Sequence, residues 1–401
     1  MKLATPGGPH LTYCTNIHAG ETWPEVRTNL TRHVLAVRDV AAPGRRFGIG
    51  LRLSAAAAAT LAGPAAVAEL QRFLRDHDCY VFTINGFPYG AFHAVRVKEQ
   101  VYAPDWLAEQ RLAYTDRLAR LLAVLLPDEP ALYGSISTVP GAFAARVSSD
   151  AERAAITDRL LRHVATLVTH EAATGKRIRL ALEPEPSCML ETIADVVAFF
   201  AEWLFTDAAA RRLAALTGRS ASSCAEALRR HLGICFDACH MAVEFEEPEA
   251  ALDALAAAAI DVVKVQISAG VVAGLGGDDG ATRTALASFA DDVYLHQVVD
   301  RRADGIHRFV DLPDALADRD PTPRECRIHF HVPIFREALG ALASTQPWLA
   351  RLLDALRARA YDGHLEVETY TWNVLPAAYR GEAVVVAVAR ELAWARERLE
   401  A

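Results

Sequence analysis

Nine short apolar runs alternate with amphipathic or alanine-rich stretches along this chain of 401 residues, and that alternation limits the fold more than any single motif. The runs are Leu11–Ile17, Phe47–Leu53, Cys79–Ile84, Ala131–Ser137, Ile178–Leu182, Gly233–Phe236, Val262–Ile267, Arg327–Val332 and Leu365–Glu368. Runs this short and this apolar read as strands covered on both faces. Between them the pattern predicts helices over Trp23–Val37, Ala55–His77, Asp105–Leu126, Asp150–Thr174, Ile193–Leu232, Pro248–Ile260, Phe335–Ala358 and Ala383–Arg398. Regular β/α alternation means parallel strands joined by right-handed crossovers.

A doubly wound sheet and a closed (β/α)8 TIM barrel both satisfy that pattern. A dinucleotide-binding sheet wants a glycine-rich turn after its first strand, whereas here the first run ends Thr15-Asn16-Ile17-His18. The glycine-rich segment 274–280 lacks the lysine of a phosphate loop and reads as flexible chain. Polar residues close nearly every run, which is where a TIM barrel builds its site, so the barrel is favoured, as one domain over 1–401. Eight strands suffice for a barrel, so one run is surplus. The stretch 270–326 reads as an insertion after strand seven, over the C-terminal face, with a polar hairpin of arms 292–299 and 306–312 turning at 301–305.

Hydrophobic residues make up 52% of the chain and charged ones 23%, enough apolar material for a large core and too much for disorder. A net charge of −8 argues against a nucleic-acid or anionic-membrane surface. No apolar tract reaches the roughly 20 residues of a membrane span, and the N-terminus breaks at once on Pro and Gly, so a cytoplasmic protein is expected. Cys14, Cys79, Cys188, Cys224, Cys235, Cys239 and Cys326 are scattered, without paired Cys-x-x-Cys motifs, and read as reduced core thiols. Alanine-rich outer helices permit a homodimer.

Three runs end in acids: Ala-Leu-Glu-Pro-Glu-Pro (181–186), Cys-Phe-Asp-Ala-Cys-His (235–240) and Leu-Glu-Val-Glu-Thr-Tyr (365–370). Carboxylates emerging together from a buried sheet need a cation or a proton, and with histidines nearby they suit one divalent ion of Mg, Mn, Co or Zn. Glu183 and Glu185 lie two apart and share a strand face, as do Glu366 and Glu368. The alternative for either glutamate of the first pair is an ordinary ion pair with Arg or Lys. Asp237 with His240 reads as a metal or substrate site, or as a helix-capping Asp beside a core His. His329 and His331 alternate on the eighth run, so one side carries both imidazoles, and a core role for them is equally open. Tyr370 and Trp372 offer an aromatic wall. Asn16, His18 and Asn85 close the early runs as substrate-binding loops, with ordinary turn chemistry as the alternative for Asn85.

These motifs resemble the xylose isomerase-like TIM barrels, a superfamily of sugar isomerases, ketose epimerases and endonuclease IV. Within it, Leu-Thr-Tyr-Cys-Thr-Asn-Ile-His-x-Gly-Glu-Thr-Trp (11–23), Asn-Gly-Phe-Pro-Tyr-Gly-x-Phe-His (85–93), Lys-Val-Gln-Ile-Ser (264–268), His-Phe-His-Val-Pro-Ile-Phe (329–335) and Glu-Val-Glu-Thr-Tyr-Thr-Trp (366–372) resemble the EboE "metabolite traffic" proteins of bacterial gene clusters. The resemblance implies Glu183, Asp237 and Glu368 as metal ligands. Where the superfamily usually carries a His on strand seven, this chain has Lys264, Gln266 and Ser268, so the fourth ligand is either Gln266 or a His331 delivered by the insertion.

The chemistry expected of that set is a metal-dependent isomerisation or epimerisation of a sugar or cyclitol, with Glu183, Glu368 and Glu185 moving protons. His240 and Lys264 are expected on a substrate hydroxyl or phosphate, and Asn16, His18, Asn85, Glu366 and Trp372 on the rest of the substrate. The resemblance implies secondary-metabolite precursors as the setting. The rival classes are metal-assisted phosphoester hydrolysis and a non-catalytic barrel that binds or hands on a metabolite.

Overall fold

The computed structural model describes residues 1–93, 96–129 and 131–401. Seven strands come first: β1 (His10–Tyr13), β2 (Phe47–Arg52), β3 (Cys79–Asn85), β4 (Gly134–Thr138), β5 (Ile178–Leu182), β6 (Leu232–Asp237) and β7 (Val262–Ile267). Then follow β8 (Val271–Leu275), β9 (Val298–Arg302), β10 (Gly305–Phe309), β11 (Arg324–Ile328), β12 (Ala338–Leu339) and β13 (Leu342–Ser344), and finally β14 (His364–Val367). Strands β1 to β7 and β14 form one parallel sheet in the order β1-β14-β7-β6-β5-β4-β3-β2. A parallel bridge between Cys14 and Gly50 brings the two ends of that sheet together, so it is a nearly closed barrel with helices outside.

Every residue of β1 to β6 and of β14 is buried, which is why these strands read as continuous apolar runs. The barrel interior is nonetheless partly polar. Ser135 Oγ reaches Thr83 Oγ1 at 2.8 Å and His364 Nδ1 at 2.7 Å, and Lys264 Nζ meets Glu366 Oε2 at 2.5 Å. Gly50 makes room for that pair, since a Cβ there would stand 1.9 Å from Glu366 Oε1.

The eighth run, Arg327–Val332, is not a barrel strand. It belongs to the antiparallel sheet β10-β9-β11-β8-β13-β12, which is inserted between β7 and β14 and runs on to Ser344. Its hairpin is shifted from the expected arms, with β9 starting at Val298 and Arg302 pairing with Gly305. Asp291 is the reason: its Oδ1 accepts from the N–H groups of Val293 (2.6 Å) and Tyr294 (3.1 Å), and this turn keeps 292–295 out of the sheet. The long helix expected over 193–232 is likewise broken, into Ile193–Phe199, Phe200–Leu204, Asp207–Thr217 and Ala221–His231. Gly218, at φ +70°, ends one piece, and Thr206 and Ser220 cap the next starts with their hydroxyls. The helix expected from Phe335 begins only at Gln346, because 338–344 completes the inserted sheet. Among the described residues no helix is long and apolar enough to cross a membrane.

Candidate metal centre

Glu183 follows β5 directly, and its N–H still donates to Thr138 O at 3.1 Å, which holds the carboxylate at the barrel mouth. Asp237 is the last residue of β6. Its Oδ1 accepts from His240 N (3.0 Å) and Ser268 Oγ (2.8 Å), so the capping reading accounts for one oxygen and leaves the other free. Glu368 follows β14, and its Oε1 accepts from the amides of Asn16 and Asn85 at 2.8 Å each. The expected places of these two asparagines at strand ends are thus used to orient an acid.

His329 and His331 lie in an extended segment after β11, which ends at Ile328, rather than on the strand itself. The segment is anchored on both sides, by His329 N to Gln297 O (2.9 Å) and Val332 N to Ala269 O (2.8 Å). Alternation persists through it, so both rings reach the same pocket, where His331 Nδ1 lies 2.9 Å from Glu368 O.

Glu183 Oε2, Asp237 Oδ2 and His331 Nε2 are buried and have no hydrogen-bond partner. Asp237 Oδ2 and His331 Nε2 are 4.0 Å apart, and ligand atoms of Glu183, Asp237 and His240 lie within 4.8 Å of one another. Two ligands each about 2.1 Å from a shared ion can stand up to about 4.2 Å apart, so a divalent cation fits the acid–histidine part of this set. The donors are carboxylate oxygen and imidazole, compatible with Mg, Mn, Co or Zn.

The electrostatics point the same way. Burial, then the charges of Glu368 and Asp237, push the Glu183 carboxyl well above its ordinary range. Burial, then Asp237 and Glu366, do the same to Glu368. Burial also raises Glu185, against the pull of His240, Tyr102 and Gln297. Burial lowers His331 to about 4 and, helped by His240, takes His329 well below its usual value. A pocket of carboxylates that cannot all ionise and imidazoles that cannot protonate is short of positive charge.

The other expected site residues divide. His240 stands at the pocket, its Nδ1 2.9 Å from Pro184 O. Glu185 does too, accepting on Oε1 from Tyr102 Oη (2.6 Å) and Gln297 Nε2 (3.2 Å). Lys264 and Glu366 do not line the cavity; they are fully buried lower in the barrel and form an ion pair with each other. Burial works against the lysine's charge, but Glu366 outweighs it and holds the ammonium above its ordinary range. His18 is also away from the cavity, 3.0 Å from Tyr13 Oη and stacked on His33 at 4.5 Å. Trp372 is buried in the turn after β14, and its neighbour Tyr370 lines the cavity instead. Gln266 sits on β7 opposite Asp237 and Glu366, with both amide atoms buried and unpartnered.

Sequence reasoning missed Gln297, Tyr102 and Ser268. The first two position Glu185, and the third positions Asp237. Ser268 follows strand seven and was legible as a polar strand end, whereas Gln297 precedes β9 in the insertion with no motif around it. The pocket opens into a cavity whose outer wall is apolar: Phe87, Phe92, Val97, Val101, Leu295.

No known family matches the chain, and no curated protein does. Solved structures do. A xylose isomerase-like TIM barrel protein from Mycobacterium smegmatis, in complex with magnesium, has 13% identity over 99% of this chain and 99% of that one, with a TM-score of 0.50. D-psicose 3-epimerase with D-tagatose, from Clostridium cellulolyticum H10, has 12% identity over 98% and 100%, with a TM-score of 0.48. An IOLI protein with a binding zinc atom has 12% identity over 98% of each chain, with a TM-score of 0.45. At such identities the M. smegmatis likeness shows the fold, a (β/α)8 TIM barrel, and nothing finer.

Proposed function

We propose that this protein is a metal-dependent isomerase or epimerase of a neutral polyhydroxylated carbonyl compound, of sugar or cyclitol type. The observation that carries this reading is the set of three buried atoms without partners, Glu183 Oε2, Asp237 Oδ2 and His331 Nε2, drawn from three separate elements beside Glu368. A divalent ion held by Glu183, Asp237, His331 and Glu368 supplies, when bound, stabilisation of the negative charge that develops on substrate oxygens. We take His331 rather than Gln266 as the fourth ligand, because His331 Nε2 is 4.0 Å from Asp237 Oδ2.

The chain's own residues then move the proton. Glu183 and Glu368 both line the cavity, so a carboxylate oxygen that the ion leaves free can take a proton from substrate carbon and return it. Asn16 and Asn85 donate to Glu368 Oε1 and so orient its carboxylate in the pocket. Glu185, tied to Tyr102 and Gln297, is better suited to a substrate hydroxyl. A phosphate on the substrate is no longer part of the reading. Among the described residues the cation lining the cavity is Lys98, which pairs with Asp311 at 2.6 Å, and Lys264 is paired with Glu366. The resemblance to the EboE proteins supports a secondary-metabolite precursor as substrate.

A second reading, metal-assisted hydrolysis of a phosphoester, draws support from the convergence of His240, His329 and His331, and the lack of a free cation for the phosphate weighs against it. Elemental analysis tests the proposal: divalent metal in the purified protein, lost in both Glu183→Ala and Asp237→Ala, is the expected result, and a metal content unaffected by either change would refute it.

A further inference from the structure

We propose that the seam between the turn Lys98–Tyr102 and the loop 291–295 is a gate over the cavity, opened for substrate and latched by Lys98. This rests on the proposed function only in taking the cavity as the place where substrate binds. The cavity holds about 50 Å³, room for about four water molecules at roughly 10–15 Å³ each. A hexose or an inosose needs more space than that, so part of the wall gives way before one enters.

The floor is not that part. Glu183, Asp237 and Glu368 stand at the ends of β5, β6 and β14, which are buried along their whole length and paired on both sides within the barrel. The outer wall is built differently. Phe92, Val97, Tyr294 and Tyr370 form a small apolar cluster of their own, apart from the main core, with Val101, Val293 and Val374 packed against it. A cover held by so few apolar contacts belongs to the part of a fold that opens locally, at far less cost than global unfolding.

What closes the seam is polar. Val97 N and Lys98 N both donate to Val293 O, at 2.9 and 3.1 Å, and Lys98 Nζ donates to Asp291 O at 3.0 Å and to Asp311 Oδ2 at 2.6 Å. Asp311 is a fixed post: its Oδ1 accepts from His296 N and Leu312 N at 3.0 Å each and so caps the helix Leu312–Ala317. Lys98 has φ +39°, left-handed backbone that a lysine adopts only against steric resistance, so these contacts hold it there and their release lets the turn relax. The side chains of Lys98 and Asp311 are 12% and 17% exposed, so water takes over their charges as the seam parts. The Lys264–Glu366 pair, with neither side chain exposed, has no such exit. Val97, Val101, Tyr294 and Leu295 line the cavity, so closure over a bound substrate presents apolar groups and expels water from the proton transfer.

The test follows metal exchange in the full chain loaded with Zn²⁺, in wild type, Lys98→Met and Tyr294→Ala, with thermal melts to verify folding. A gate changes rates and not equilibria. Zinc uptake and release to a chromogenic chelator should both be about tenfold faster in Lys98→Met, with the dissociation constant unchanged. Tyr294→Ala, which loosens the apolar side of the seam, should act in the same direction. Hydrogen exchange read by mass spectrometry needs no metal: peptides over 97–102 and 291–295 should exchange well before β5, and faster again in both variants. Zinc exchange unaltered in folded Lys98→Met, a dissociation constant that changes as much as the release rate, or seam peptides as protected as β5 overturns the gate. A chain that binds no zinc contradicts the proposed function, and hydrogen exchange then decides the gate by itself.

Discussion

Asp237 Oδ2 stands 4.0 Å from His331 Nε2, and neither atom has a hydrogen-bond partner. A buried carboxylate oxygen and ring nitrogen left bare together are costly without a cation to share. Glu183 and Glu368 beside them add like charge, which a bound cation would offset.

Chelation should therefore lower the thermal midpoint, and divalent metal should restore it. An ion present at a hundred times its dissociation constant stabilises the fold by about 2.7 kcal/mol. Differential scanning fluorimetry with and without chelator measures the shift, which should vanish in Asp237→Ala. A wild-type midpoint indifferent to chelator and metal would contradict the centre.

The Lys264–Glu366 pair makes a separate prediction about the barrel interior. Both side chains are fully buried and 2.5 Å apart, so removing one partner strands the other's charge. Lys264→Met or Glu366→Leu alone should cost about 3–5 kcal/mol, while the double change should recover most of that loss. Urea denaturation of the three variants checks it; additive losses in the double variant would mean that the pair is not coupled.

Glu391, on the C-terminal helix Val384–Glu400, ties two site loops together by accepting from Ile334 N (3.2 Å) and Thr369 Oγ1 (2.7 Å). Burial raises its carboxyl from 4.5 to about 7, against those two hydrogen bonds. Because the folded state binds this proton more tightly than the unfolded chain, the contribution is fully present below pH 4.5 and lost as pH rises towards 7. A shift of that size corresponds to about 3 kcal/mol, so Glu391→Gln should flatten the decline in stability across this window. Urea midpoints at the two ends of the window, in wild type and variant, test it, and identical slopes would remove Glu391 as the cause.

The barrel was legible because its strands are buried on both faces and so appear as continuous apolar runs, and Val262–Ile267 is strand seven as its spacing from Asp237 suggested. The eighth run was ambiguous for the same reason: in β11, Arg324, Cys326 and Ile328 are buried against other parts of the insertion, and short apolar runs do not state which sheet they join. Glu183, Asp237 and Glu368 could be found because acids at the ends of apolar runs stand out. Lys264 and Glu366 were misplaced because a polar residue on a barrel strand reads the same from either end of the barrel, and only the register shows that they pair below the mouth. Gln297 left no signal at all, since its role depends on an insertion folding back on Glu185 and His329.

Proton transfer to carbon is the centre of the account, and isotope exchange reads it directly. The metal-loaded protein, incubated in D₂O with a panel of unphosphorylated ketoses, aldoses and inososes, should place deuterium beside the carbonyl of at least one compound, detected by NMR. Folded, metal-bound Glu368→Gln should not. Absence of exchange with every compound, in a protein that binds its metal, or exchange undiminished in Glu368→Gln, would contradict it.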